Sequence, residues 1–304
     1  MEETFVKDFT RVPKDVKASQ RINRVSLTYA QGVIRTLKQN KAAMISLGFI
    51  IFIIIVAIFG PIVFPNYQKT DLMHTLEAPG GGHWFGTDDL GRDVLTRLVR
   101  GTRISLIIGF VAETINLVVG IIYGGIAGYV GGKVDMIMMR IIDVIMSIPQ
   151  MIIMILLLTV LNGSVGTLLI ALCVTGWTGL ARLVRGQVLS LRENEYAQAA
   201  QVLGASKWRI LQTHLIPNTI GPILVNYTMS VPSAIGAEAY LSYLGLGISI
   251  PEASWGNLLQ LGSSQFPGSL WLFFTPAIVF ALTMLAFNLL GDGLRDALDP
   301  QMRK

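Results

Sequence analysis

Side chains suited to catalysis or metal binding are scarce in this sequence. Its 304 residues include one cysteine and three histidines, and only 14% are Asp, Glu, Lys or Arg. A single thiol excludes an internal disulfide framework, and Cys173 lies inside an apolar run, where it reads as packing. His74, His83 and His214 lack the spacing of a metal-ligand set. The pair Gly132-Lys133 has no glycine five residues before it and no Ser or Thr after it, so a phosphate-binding loop is missing. Neither Gly-x-Ser-x-Gly nor His-Glu-x-x-His occurs. No catalytic constellation is expected, and no cofactor or metal in the chain itself. The low charge excludes an ordinary soluble domain, in which about 25% of residues are charged. Alternation at the repeat of about ten residues found in outer-membrane barrels is also lacking. No cleavable signal peptide is expected, because the first apolar run follows about forty mostly polar residues.

Long apolar runs are what the chain has instead. Hydrophobic residues make up 52% of it, and the mean hydropathy is +0.58. Six runs approach or exceed the ~20 residues that cross a bilayer as a helix. They cover 42–64, 104–130, 134–160, 165–189, 218–240 and 270–291. The expected fold class is an all-α membrane protein with six transmembrane helices. Four segments follow from this: a polar, basic N-terminal segment over 1–41, a first helix and long polar loop over 42–102, a five-helix core over 103–292, and a charged tail over 293–304. Val94, Leu95, Leu98 and Val99 predict an amphipathic helix lying along the bilayer surface before the second span. Gly120, Gly124 and Gly128 share one helix face and admit a close neighbour. Pro149 falls in the third span, and Pro222 and Pro232 in the fifth, where each removes a backbone donor. Trp84, Trp255 and Trp271 read as interfacial belt residues. The methionines from Met136 to Met154, set among Ile and Leu, read as adaptable packing.

The net charge is +5, and its placement carries more information than its size. Lys69, Arg92, Arg97, Arg100 and Arg103 lie on one side of the expected spans, and the other nineteen of the 24 Lys and Arg residues lie on the opposite side. The positive-inside rule then puts both termini and the 190–217 loop in the cytoplasm, with the 65–102 and 241–269 loops outside.

Within that inner loop, Tyr196 to Asn218 is polar on one face between two apolar runs. Gly204 is placed to break it into two short helices, because glycine takes the left-handed C-terminal position without a Cβ penalty. Ser206 is placed to cap the second helix. Pro217 is expected to stop that helix or to kink the entry into the fifth span.

This stretch resembles the cytoplasmic loop of ABC-importer permeases. The family pattern there is Glu-Ala-Ala, three residues, Gly, nine residues, then Ile-x-Leu-Pro. Ala199, Ala200, Gly204 and Pro217 fall on it, while Gln198 stands where the family has Glu and His214-Leu215-Ile216 where it has Ile-x-Leu. Four further stretches resemble the oligopeptide and dipeptide branch: His83 to Asp93, Arg140-Ile-Ile-Asp143 with Ser147-Ile-Pro149, Tyr240 to Gly247 with Ser254-Trp255-Gly256, and Asn288 to Pro300. Together they cover nearly everything after residue 40, and the long first outer loop is similar to that of the C-type oligopeptide permease.

The resemblance implies a type I ABC importer permease fold in the bacterial inner membrane, with 190–217 as a coupling-helix loop. Gln198, Ala199, Ala200, Gly204, Ala205, Ser206 and Pro217 would then meet an ATPase. The implied partners are a similar B-type permease in a heterodimer, two cytoplasmic ABC ATPases carrying ATP and Mg, an extracellular peptide-binding protein and membrane lipid, with no nucleic acid. The implied cargo is oligopeptide; dipeptides or nickel chelates are the alternative within the class, and an ATPase-independent channel is the alternative from another.

Polar groups inside the spans are functional candidates, since a charge at the bilayer centre costs about 3 kcal/mol or more. Glu113 and Asn116 in the second span read as lining a pathway for peptide or as an interhelical hydrogen bond. Glu238, near the outer end of the fifth, reads as a substrate contact or as a group reaching the interface. Arg140 and Asp143, three apart on one helix, predict an internal ion pair.

Overall fold

The computed structural model describes residues 29–248 and 251–298, and these are mostly helical. The helices are α1 (Tyr29–Gln39), α2 (Lys41–Val63), α3 (Val94–Val130), α4 (Gly132–Met146), α5 (Gln150–Leu161), α6 (Val165–Leu191), α7 (Glu195–Val202), α8 (Lys207–Ile210), α9 (Ile216–Tyr243), α10 (Trp255–Ser264) and α11 (Leu270–Leu298). A π-helical turn over Leu211–Leu215 joins α8 to α9. Helices α2, α3, α6 and α11 are long and apolar enough to cross a membrane, and the bent pair α4–α5 is a fifth if it forms one span. Helix α9 is 28 residues long, and its Asn, Ser and Pro residues make it less apolar. Counting it, the architecture is compatible with six crossings. Most of the expected N-terminal segment and the last residues of the tail lie outside the described residues. Residues 293–298 belong to α11 rather than to a separate tail.

Local chemistry accounts for the helix starts. Asn40, Asp93 and Ser164 each accept a hydrogen bond from a backbone N–H three residues on, capping α2, α3 and α6. Ser254 and Asn257 form a reciprocal capping box at α10.

Two expectations about the spans are corrected. The stretch 94–103 is not a separate surface helix. It is the start of α3, a continuous helix of 37 residues, and Val94, Leu98 and Val99 are buried. At 1.5 Å per residue α3 runs about 55 Å, well beyond a hydrocarbon core of about 30 Å. Its apolar spacing reflects burial under other helices, a pattern that lipid contact would also produce. The third span is not one helix either: α4 and α5 meet at a bend of 71°. Pro149 at the bend lacks an N–H and disfavours helical geometry at Ile148 before it.

Packing follows the small residues. Helix α3 lies along α6, with Gly120 against Leu180, Gly124 against the Ala181 carbonyl and Gly128 against the Arg185 carbonyl. Here the glycine face predicted from sequence does what its spacing requires. One apolar cluster joins α2, α3, α9, α10 and α11 through residues such as Ile53, Leu98, Ile235, Trp255 and Phe287. A second joins α3, α5, α6 and α9 through Ile108, Met154, Leu168 and Leu241. A third holds the end of α6 against α8, the π turn and α9 through Val184, Val188, Ile210, Leu215 and Ile223.

Candidate functional site

The third cluster carries the segment that connects α6 to α9, an elbow that leaves the helix bundle at Arg192. Gly204 has φ +81°, the left-handed geometry that ends α7 and turns the chain. The Ser206 hydroxyl then accepts from the Arg209 N–H at 3.3 Å and starts α8. Pro217 does not stop the helix: the chain enters α9 through the π turn, in which the Ile216 N–H bonds the Leu211 carbonyl. Pro217 then sits in the first turn of α9, where its missing N–H costs no helical bond. Residues 207–215 therefore run helically into α9, whereas α7 is set off from them by the turn at Gly204.

Its two sides differ in chemistry. Inward, Ala197, Ile210, Leu211 and Leu215 are buried, and Ala200 and Ala205 pack against them. Outward, Val202 and Leu203 are each 87% exposed, with Trp208 beside them at 54%. Nothing lies within 4 Å of where a Gly204 side chain would begin. A cleft of about 780 Å³ is lined by Tyr129, Arg192, Gln198, Gln201, Lys207 and Ile210. The Gln198 amide donates to the Glu193 carbonyl at 3.0 Å.

Three arginines brace the elbow's root. Arg192 donates to the Gly128 carbonyl at 3.2 Å, at the C-terminal end of α3, where a cation complements the helix dipole. Arg185 forms a two-pronged pair with Asp135. Arg182 meets Asp143 at 2.6 Å, whereas the expected Arg140–Asp143 pair is longer, at 3.6 Å. The predicted ion pair within α4 is thus secondary to one between α4 and α6. Sequence spacing shows only partners on the same helix.

The intramembrane candidates do not form one constellation. The Asn116 amide donates to Glu113 at 3.1 Å, and Asn116 is buried where Gly176 of α6 leaves room for it. Glu113 is half-buried. Glu238 is 0% exposed and accepts from the Ser105 and Ser242 hydroxyls, both at 2.8 Å. It therefore lies inside the helix packing in this conformation, away from any surface. The Ser105 oxygen also takes the Trp255 backbone N–H at 3.1 Å, and the Trp255 indole N–H donates to Thr102 at 3.1 Å. This buried network ties α3, α9 and α10 together. It also corrects the belt reading of Trp255, which is fully buried edge-on to Phe280. Trp84 is 76% exposed. A further pair escaped the sequence reading: the Thr114 and Tyr227 hydroxyls lie 3.0 Å apart on the exposed flank of α3 and α9.

Carboxylates also organise the long loop between α2 and α3. Asp88 takes Arg92 at 2.7 Å and Arg97 at 3.4 Å. Asp93 caps α3 and meets His83 at 2.9 Å. Burial raises the Asp93 pKa, but bonds from Thr96 and His83 outweigh it and hold the carboxyl below its usual range. Asp71 and His74 meet at 3.0 Å. That bond lowers Asp71 below its ordinary 3.8 and raises His74 above its ordinary 6.5. The Asp71 contribution is present above 3.8 and fades as pH falls through its lowered value. The His74 contribution is complete below 6.5 and fades as pH rises through its raised value. Amide protection at Met73 and His74 is therefore expected to peak between pH 3.8 and 6.5. Hydrogen-exchange protection factors measured across that range check it, and a profile still rising above the window contradicts it.

Comparison with known proteins adds to this geometry. Residues 120–304 match the family described as binding-protein-dependent transport system inner membrane component. Residues 28–79 match the N-terminal TM domain of oligopeptide transport permease C. The chain is 48% identical over 285 residues to the dipeptide transport system permease protein DppC of Bacillus subtilis (strain 168), covering 93% of this chain and 89% of that one. It is 45% identical over 287 residues to the oligopeptide transport system permease protein OppC of the same organism, covering 94% of each. It is 42% identical over 272 residues to OppC of Escherichia coli (strain K12), covering 88% of this chain and 90% of that one.

Proposed function

From the premise that this chain belongs to the family of binding-protein-dependent inner-membrane transport components, we propose that it is a permease subunit of an ATP-driven peptide importer. In this reading the elbow 190–217 faces the cytoplasm and docks in a groove of an ABC ATPase. ATP and Mg bind on the ATPase pair, and this chain hydrolyses nothing. A second, B-type permease completes the pathway, and an extracellular binding protein delivers the peptide. Closure of the ATPases moves the elbow, which moves α9 and α6, and the pathway alternates between outward and inward openings.

The observation that carries the reading is the two-sided elbow. Its inner face is packed into α6 and α9 through Ile210, Leu211 and Leu215, and its tip presents Val202 and Leu203 bare. A segment that must pass on force needs a rigid root, and a segment that must receive force needs a surface for a partner. Gln198 in place of the family's Glu makes that contact a neutral hydrogen bond rather than an ion pair. Oligopeptide is the cargo proposed, on the likeness of residues 28–79 to oligopeptide transport permease C; the motifs themselves are shared across the oligopeptide and dipeptide branch. Dipeptide is the second reading, favoured by the name of the Bacillus relative that is 48% identical. The translocation role of Glu113 belongs to the same proposal, as a polar group facing the pathway from α3.

Uptake of labelled peptides of graded length, in cells lacking this chain and complemented with it, tests the proposal. Complementation is expected for peptides, with ATP required, and an ATPase pair and a second permease are expected to co-purify. Substrate flux through the purified chain alone, without nucleotide, overturns the importer reading in favour of a channel.

A further inference from the structure

We propose that the groove between α2 and α3 holds an acyl chain of an anionic phospholipid whose phosphate is bound by Arg103. The groove has a volume of about 480 Å³, and its walls include Ile54 and Ile58 of α2 and Leu106, Ile107 and Phe110 of α3. Arg103 is the one charged residue in its lining.

The neighbouring arginines show what is unusual about this one. Arg92 and Arg97 face Asp88, and Arg100 faces Glu252 at 3.0 Å. Arg103, half-buried one turn further along α3, has no carboxylate among the described residues. A guanidinium has five donors and no acceptor, and inside a membrane it needs an anion or water. No carboxylate among the described residues supplies that anion, and a lipid phosphate at this level would.

The order of groups along the groove selects the occupant. Ile58 lies five residues before Val63, the end of α2. That is about 7.5 Å of helix, a depth that an arginine side chain spans by snorkelling. From Arg103 to Val111 the apolar wall of α3 runs the other way, toward the bilayer middle, for about 12 Å. The sequence of features is cation at headgroup level, then hydrocarbon-lined groove. A phospholipid presents the complement, phosphate followed by acyl chain, to both parts at once. A polar solute has nothing to bond along these walls. A helix of the partner permease would have to bring a carboxylate or free carbonyl oxygens to the same depth.

The test uses the assembled transporter in nanodiscs of phosphatidylcholine with and without phosphatidylglycerol. Native mass spectrometry counts retained phosphatidylglycerol, and a phosphatidylglycerol with a photoactivatable acyl chain maps its position. Cross-links are expected on the segments around Ile54–Ile58 and Leu106–Val111. Arg103→Gln is expected to lower retained phosphatidylglycerol about five-fold, with Arg103→Lys keeping most of it. Ile58→Trp, at a position 54% exposed, is expected to fill the groove and remove the α3 cross-links without altering the charge. Unchanged retention in Arg103→Gln, or labelling spread evenly over all lipid-facing helices, overturns the proposal. A disulfide formed under oxidant between Arg103→Cys and a cysteine introduced into the partner permease overturns it too, and assigns the groove to a protein interface.

Discussion

Leu203→Glu is expected to leave the chain folded and inserted while cutting peptide uptake at least thirty-fold, from a loss of about 2 kcal/mol or more at an interface anchor. Leu203 is 87% exposed and supports no internal packing, so the fold has little to lose. In the proposed docking Leu203 would press against the ATPase, where a charge would have to be desolvated and would leave an apolar contact unfilled. Gly204→Arg is expected to give the same phenotype by another route. Its backbone sits at φ +81° with open space around it, so a side chain costs about 1–2 kcal/mol of local strain but meets no clash within the chain. The obstruction would be felt only by a docked neighbour. Both variants should abolish substrate-stimulated ATPase activity at normal membrane levels. Normal uptake by either would remove the elbow from the transport cycle.

Gly124→Val is expected to be as damaging, but to the fold. A Cβ at Gly124 meets the Ala181 carbonyl, and the Arg185 N lies only 3.0 Å away. Both are backbone atoms of α6 and cannot rotate aside. Forcing α3 and α6 apart costs about 3 kcal/mol or more. That is a large part of the 5–15 kcal/mol that typically holds a domain together. The chain should therefore be nearly lost from the membrane fraction. Gly179→Ala and Gly186→Ala provide the contrast on the other side of the same contact. Nothing lies within 4 Å of either added methyl, and each change should be neutral or stabilising by up to about 1 kcal/mol from helix propensity. Quantitative immunoblotting of membranes, with thermal aggregation of the detergent-extracted protein, separates the two classes. Normal abundance of Gly124→Val would mean that the helices have more room than the packing shows.

The apolar helices α2, α3, α6 and α11, the glycine face of α3, the turn at Gly204 and the cap at Ser206 were legible from residue order. Each depends on a local rule: hydropathy over about 20 residues, a four-residue repeat on one helix face, or the backbone preference of a single residue. The same rules misjudged 94–103, because apolar spacing is the same whether a helix is covered by lipid or by α2 and α10. They misjudged Trp255 for a similar reason. An aromatic residue next to a loop suits a membrane interface, and equally suits the buried site where its indole meets Thr102.

What no local rule reaches is the pairing of groups distant in the chain. Arg185 and Asp135 are fifty residues apart, Ser105 and Glu238 are 133 apart, and Arg100 and Glu252 are 152 apart. Each charge was visible in the sequence, and each raised the question of what neutralises it. Membrane solvation makes an answer compulsory, since an unpaired polar group in hydrocarbon is costly. It does not choose which partner supplies it. Residue order was enough to say that the chain crosses a bilayer, that it turns at Gly204 between two short helices and where its glycines allow contact. The docking of helices against one another chose the partners, turning Glu238 inward to a set of hydroxyls and leaving Arg103 without a carboxylate among the described residues, because that choice depends on which side chains the packed bundle brings within about 3 Å.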